Sequence, residues 1–177
     1  MKKENEMILE IEKGNKTLPQ IDMKELEIAN ENTWDLFFLL LSKYYEIIDT
    51  VTEDEFNNSQ HTLMAYNILY GEITSGGFLE LIKNGYGTYI FDTLFSETLK
   101  KWGVIEMANN IDKAKEIYFE NKSDLEIART PEELSQMYQR YPAFNKLDNE
   151  FFRIMNSEAE KIKSHILQHI NDFAIVA

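Results

Sequence analysis

Apolar residues recur every three or four positions along most of the chain, which is the spacing of one buried helix face. The clearest stretch predicts a helix from Trp34 to Val51, with an apolar face of Trp34, Phe37, Phe38, Leu41, Tyr44, Tyr45 and Ile48. A second stripe follows, made of Phe56, Leu63, Tyr66, Tyr70 and Ile73. Two more helices are predicted near residues 89–101 and 104–119. Alternating strand patterns are nearly absent, so the sequence predicts an all-α fold.

Three short motifs predict where helices begin. Thr52-Glu-Asp-Glu55 and Ser157-Glu-Ala-Glu160 have the spacing of a capping box, in which a hydroxyl and a carboxylate bond the free N–H groups of the first turn. Thr130-Pro131-Glu132-Glu133 adds a proline at the first helical position. We therefore expect helices to open after Thr52 and Thr130, and the last helix to open after Ser157.

No feature of the sequence divides the chain into separate domains. It has three prolines and no linker rich in Pro, Ser and Gly, and no repeat of fixed period is present. Residues 1–16 are polar and balance four acids with four bases, which is typical of a loosely held arm. Residues 17–177 are predicted to form a single-domain multi-helix bundle.

Five of the seven glycines lie in the segment GEITSGGFLELIKNGYG, from Gly71 to Gly87. Gly71 and Gly76 have the outer spacing of a phosphate-binding loop, but the lysine that such a loop needs is missing. Gly85 and Gly87 begin a dinucleotide fingerprint, and Ile90 stands where its third glycine would be. Both nucleotide-binding interpretations therefore fail.

The same segment is better explained by helix ends. Ser75, Gly76 and Gly77 are predicted to end one helix in a left-handed turn. Phe78 to Lys83 then form a short helix that ends at Asn84-Gly85.

The residues of this segment also resemble a signature of bacterial DNA-mimic proteins of the DMP type. That signature reads roughly Glu, two residues, Asn-Gly-Gly-Phe, and later Asn and Gly; it is matched here by Glu72, Gly76, Gly77, Phe78, Asn84 and Gly87. A Leu-Asp-x-x-Phe element at Leu147 and Asp148 extends the resemblance, which covers roughly residues 50–175. The chain departs from the family pattern at Ser75, where Asn is usual, and at Glu80, where Gln is commoner.

The resemblance implies an α-helical homodimer. In the family's best-known member, surface carboxylates imitate DNA phosphates and occupy a DNA-binding protein. A shared fold does not by itself transfer function, so the charges of this chain need their own assessment.

Acidic residues outnumber basic ones by 31 to 18, for a net charge of −13. This balance argues against direct binding to nucleic acid or to anionic membranes. The excess is uneven, because residues 17–80 contain twelve acids and only two bases. No lysine or arginine occurs between Lys43 and Lys83.

Two groups of acids are therefore candidates for a surface that binds a basic partner. They are the predicted helix corner of Glu46, Asp49, Glu53, Asp54 and Glu55, and the preceding run that includes Glu31 and Asp35. Phosphates advance about 3.4 Å along one DNA strand and a helical turn about 5.4 Å, so acids on adjacent helices can approximate a double row. The alternative is an ordinary solvated face, with the acids near Thr52 serving the helix dipole and the capping box.

Signals for catalysis are weak. The chain has no cysteine and no Gly-x-Ser-x-Gly motif, which removes the commoner nucleophile signatures. His165 and His169 lie one turn apart, but the Glu of a metalloprotease motif is missing, and the position of His169 in the apolar stripe favours a buried core histidine. Asp148 and Glu150 could act as an acid–base pair, and Asp148 could equally cap a helix. We expect no catalytic residue, metal or cofactor.

The amino terminus lacks the apolar core of a secretory signal, and the longest apolar run, FFLLL at 37–41, is far too short to span a bilayer. The sequence thus favours a cytoplasmic, non-catalytic protein that engages a basic, DNA-binding protein. An immunity or adaptor protein with an unrelated partner is the alternative, and a metal-dependent enzyme is third.

Overall fold

A computed structural model describes residues 17–48 and 55–177 of the chain. Its helices are α1 (Met23–Ala29), α2 (Thr33–Ile48), α3 (Asn58–Lys83), α4 (Gly87–Phe91), α5 (Phe95–Lys101), α6 (Ile105–Leu125), α7 (Pro131–Arg140) and α8 (Ala143–Gln168). A 3₁₀ turn (Ile170–Asp172) follows α8. Two short strands, β1 (Gln20–Ile21) and β2 (Ile175–Val176), pair in parallel. The predicted all-α multi-helix fold is confirmed, and the strand pair adds to it.

Two of the predicted helix starts can be compared with the structure. Helix α7 begins at Pro131 as expected, with Thr130 Oγ1 accepting the Glu133 N–H at 3.3 Å and the Glu133 carboxylate accepting the Thr130 N–H at 2.8 Å. The prediction that the last helix opens after Ser157 is wrong, because Ser157 lies inside α8 and its hydroxyl donates to the Ile154 carbonyl. The helix runs through this point because Phe151, Ile154 and Ile162 continue one buried face.

The start of α3 differs from the prediction. Residues 52–54 of the Thr52 box, like the arm 1–16, lie outside the described residues. Helix α3 begins at Asn58, after a reciprocal cap: Asn57 N–H donates to Gln60 Oε1 at 2.9 Å, and Gln60 N–H donates to Asn57 Oδ1 at 3.0 Å. This Asn-x-x-Gln pair has the reciprocal hydrogen bonds of a capping box, with side-chain amides as the acceptors.

Residues 89–101 do not form one helix. Helix α4 ends at Phe91, Asp92 leaves the helical region with φ −106° and ψ 28°, and α5 begins at Phe95. Phe91 before the break and Phe95 after it are both buried. The helix predicted at 104–119 exists and continues to Leu125 across a kink at Asn121, where φ is −126° and ψ is 16°.

The chain divides into two compact units. The terminal unit consists of the described residues up to Met64 together with Ala159–Ala177, and the central unit is Ala65–Glu158. The predicted single domain is not tested by this division. Within the described residues, no helix is long and apolar enough to cross a membrane.

Each unit has its own aromatic core. In the terminal unit Tyr44 is fully buried, packs against Phe56 at 5.7 Å between ring centres, and donates its hydroxyl to the Phe173 carbonyl at 3.1 Å. In the central unit Phe78 contacts Phe91 and Phe144, with ring centres 6.3 and 6.2 Å apart. These contacts fix α3, α4 and α8 around the glycine-rich segment.

Candidate functional site

The glycine-rich signature forms a break inside α3. Gly77 has φ 80° and ψ −175°, so the helix from Asn58 stops there and a new turn, Phe78–Lys83, starts in a different direction. The predicted short helix and its end at Asn84-Gly85 are confirmed, with Gly85 at φ 88°. In place of the left-handed turn predicted for Ser75–Gly77, Gly77 alone has a positive φ with ψ near 180°, a conformation open almost only to glycine.

Asp148 of α8 caps the helix that follows this break. Its Oδ1 accepts the Phe78 N–H at 2.9 Å, which satisfies the first free amide of the new turn. The Tyr138 hydroxyl lies 2.7 Å from the Gly76 carbonyl and 3.0 Å from Asp148 Oδ2. Burial raises the pKa of the Asp148 carboxyl, and the Phe78 and Tyr138 hydrogen bonds oppose that rise. Of the two roles weighed for Asp148, the structure shows the cap.

The remaining residues of the signature and of the Leu-Asp element make three further contacts. Asn84 Nδ2 donates to Glu72 Oε2 at 2.7 Å, which joins the end of the short helix after the break to the helix before it. Gly87 begins α4 where the Tyr118 ring passes, and a Cβ there would lie 2.7 Å from Tyr118 Cε2. Leu147 is buried, and its carbonyl accepts the Asn110 side-chain amide at 3.0 Å. Gly87, Leu147 and Asn110 are buried and shape the central unit, whereas the Asn84–Glu72 pair lies at its surface.

Glu158 is a second cap from the same helix, and sequence analysis missed it. Its side chain is fully buried in the central unit, and Oε2 accepts the Met107 N–H at 3.1 Å, in the first turn of α6. The detectable signal was a lone acid between Ile154 and Ile162 on an otherwise apolar face.

The acidic candidates that the structure describes are all exposed. Glu31 and Asp35 lie at the turn before α2 and in its first turn, and neither makes a side-chain hydrogen bond or ion pair with a described residue. Glu46 lies 3.8 Å from Lys43 in the last turns of α2. Glu55 accepts a long hydrogen bond of 3.5 Å from the Thr17 hydroxyl. Asp49, Glu53 and Asp54 fall outside the described residues, so the predicted corner cluster stays a prediction.

Charge is balanced differently in the two units. Over residues 17–64 and 159–177 the sequence has twelve acids and four bases, whereas residues 65–158 have fifteen acids and ten bases. In the central unit several carboxylates are paired: Asp124 contacts Arg129 and Arg140, and Arg153 bridges Glu106 and Glu150. The excess of acidic over basic residues is therefore larger in the terminal unit, eight against five in the central unit.

The outer face of α2 presents aromatic rings, which the sequence analysis placed in the core. Phe38 is 58% exposed and Tyr45 is 49% exposed, while Leu36, Leu40 and Tyr44 on the opposite face are buried. The buried face includes Leu36 and Leu40, which the predicted stripe omitted, so it is rotated around the helix and leaves Phe38 and Tyr45 outside it.

The histidine prediction is wrong in part. His169 is exposed, because α8 ends at Gln168 and the chain turns into the 3₁₀ segment. Its ring stacks on His165 at 4.4 Å, and burial together with this neighbour lowers the pKa of His165. Among the described residues, no group of three or more potential ligands is arranged to hold a metal ion.

Comparison with known proteins identifies the class. The model of the DMP19-like protein family matches residues 54–169, which is more than half of the chain and includes the Gly77 break and both α8 caps. The chain therefore belongs to the DMP19-like family, as the signature indicated. It is also 26% identical over 162 residues to the DNA mimic protein DMP19 of Neisseria meningitidis serogroup B (strain ATCC BAA-335 / MC58), covering 89% of this chain and 94% of that protein.

Proposed function

We propose that this protein is a cytoplasmic DNA mimic that occupies a basic, DNA-binding protein through the carboxylates of its terminal unit, without catalysis or a cofactor. Family membership supports the proposal, because a relative that aligns along most of both chains is named a DNA mimic protein. The observation that carries it is the large excess of acidic over basic residues in the terminal unit, twelve against four.

The spacing of the described acids suits this role. Asp35 and Glu46 are eleven residues apart on α2, which corresponds to about 16 Å along the helix axis. That is close to the length of about five phosphate steps on one DNA strand. Exposed carboxylates at this spacing can meet lysines and arginines that otherwise contact the DNA backbone.

The family resemblance also implies a homodimer, and we include that state in the proposal. A two-fold dimer would present two acidic surfaces, as a DNA duplex presents two strands. Sedimentation equilibrium of the purified chain measures this directly, and a strictly monomeric protein would restrict mimicry to one acidic surface per partner.

The test is a pull-down from the source cell's lysate, with washes at increasing salt, followed by mass spectrometry and competition with duplex DNA. A basic DNA-binding protein should be captured, lost steeply between low and moderate salt, and displaced by DNA. A neutral partner that survives high salt would refute mimicry and favour the adaptor alternative.

Charge-reversal variants test which acidic surface binds the partner. Replacing Glu46, Asp49, Glu53 and Asp54 by lysine should abolish capture while the far-ultraviolet circular dichroism stays unchanged. The matched control reverses Glu116 and Glu120, which are exposed on α6 of the central unit, and should still capture the partner. Equal loss in both variants would mean that only net charge matters.

A further inference from the structure

The outer face of α2 combines two kinds of side chain in adjacent rows. Trp34, Phe38 and Tyr45 recur at spacings of four and seven and form an aromatic row. A second row, displaced by about a quarter turn, is formed by the exposed residues Asp35, Ser42 and Glu46. We call these six residues the α2 outer face.

The two rows lie within reach of the same ligand group. Residues three or four apart on a helix have Cβ atoms about 5–6 Å apart, which is the relation of Asp35 to Phe38 and of Ser42 to both Tyr45 and Glu46. The Phe38 ring and the Asp35 carboxylate therefore stand side by side at one end of the face, and at the other end the Ser42 hydroxyl lies within reach of both the Tyr45 ring and the Glu46 carboxylate. Carboxylates alone would bind any cation, whereas an aromatic ring beside a carboxylate favours a planar cation.

We propose that the α2 outer face is a docking surface for an arginine-rich segment of the basic partner, an inference that rests on the proposed function and specifies its partner. A guanidinium group stacks on an aromatic ring and donates paired hydrogen bonds to a carboxylate at the same time. A lysine ammonium pairs with the carboxylate but lacks the flat face for stacking. The face should thus distinguish arginine from lysine, which a purely electrostatic imitation of phosphates would not.

Charge argues against a second copy of this chain as the occupant. None of the six residues of the face is basic, and Lys43 is half-buried beyond Glu46 on the side of the helix away from the rings. A two-fold pairing through this face would bring Asp35 and Glu46 of both copies together without a cation between them. Like charges brought together in this way oppose association.

The experiment is isothermal titration calorimetry of the full chain with nonaarginine and with nonalysine, at low and at moderate salt. We expect nonaarginine to bind about tenfold more tightly, and the difference to persist at moderate salt because stacking is less screened than ion pairing. The double variant Asp35→Asn, Glu46→Gln should bind both peptides more weakly. Phe38→Ala with Tyr45→Ala should reduce the arginine preference to less than about twofold and leave nonalysine binding unchanged.

Phe119→Ala is the matched control, because Phe119 is 43% exposed on α6 of the central unit; it should keep the full preference. Equal affinity for the two peptides, or no binding of either, would overturn the docking surface. So would a Phe38→Ala, Tyr45→Ala variant that becomes monomeric in sedimentation yet keeps its arginine preference, since the face would then join two copies.

The two proposals fail separately. If the arginine preference is absent but duplex DNA still displaces the lysate partner, the docking surface is wrong and mimicry stands. If the preference is present but DNA does not displace the partner, the acidic face binds arginine without imitating DNA.

Discussion

Replacing Gly77 by alanine should be among the most damaging single-methyl additions in the central unit. The backbone at φ 80° and ψ −175° is nearly closed to residues with a Cβ, which costs about 1–3 kcal/mol. The new methyl would also overlap the Tyr138 hydroxyl and the Asp148 carboxyl, whose Cγ lies 2.8 Å from an ideal Cβ. Displacing Asp148 removes the Phe78 cap, for about 1–2 kcal/mol more. We expect a loss of about 2–5 kcal/mol.

Urea unfolding followed by circular dichroism measures this loss. Gly103→Ala is the control, because Gly103 also has positive φ, at 78°, but open space around its Cβ position, so it should cost only about 1–2 kcal/mol. Tyr138→Phe removes the hydroxyl that overlaps the new methyl. In the Gly77→Ala background it should therefore lower the free energy of unfolding by at least about 0.5 kcal/mol less than it does in the unmodified chain. If Gly77→Ala is no worse than Gly103→Ala, the close contact with Tyr138 and Asp148 is not constraining, and the reasoning fails.

Two further predictions concern Asp148 and Glu158, the two side chains of α8 that cap other helices. Glu158→Ala should lower the free energy of unfolding by about 1–3 kcal/mol, because it leaves the buried Met107 N–H without an acceptor. Glu158→Gln keeps an acceptor and should therefore lower it less. Equal losses of the two variants in urea unfolding would contradict a capping role. Burial raises the pKa of Asp148, so the folded state holds its proton more tightly than the unfolded chain does, and stability should rise as the pH falls through the folded pKa. Asp148→Asn should remove that part of the rise, which we expect at pH values above the ordinary aspartate pKa of about 4, and unchanged pH profiles would refute it.

Local patterns predicted helix content well and helix ends less well. The apolar period placed α2, and the Thr130 box placed α7, because both signals act within a few residues. Ser157 has the same box spacing but lies inside α8, where burial on both sides of the box decides in favour of a continuous helix. Asp22 and Glu25 belong to the twelve acids counted over residues 17–80, and in the structure they form the capping box of α1.

The candidate site was predictable where chemistry is local and not where it depends on distant residues. The need for glycine at Gly77 followed from the sequence, but Asp148, which accepts the next N–H from Phe78, lies 70 residues further along than Phe78, and no spacing rule connects them. The exposure of Phe38 and Tyr45 depends on which edge of a broad apolar stripe meets a neighbour. Sequence periodicity describes the stripe and does not choose the edge.

The division of the chain into units also sets an order of folding during synthesis. The central unit is one continuous segment, so it can form once residues 65–158 have left the ribosome. The terminal unit cannot be completed until residues 159–177 exist, because β2 and the Phe173 carbonyl that receives the Tyr44 hydroxyl both come from that segment. The acidic unit is therefore the later one to mature, and a nascent chain stalled before residue 159 would carry a formed central unit beside unfinished acidic helices.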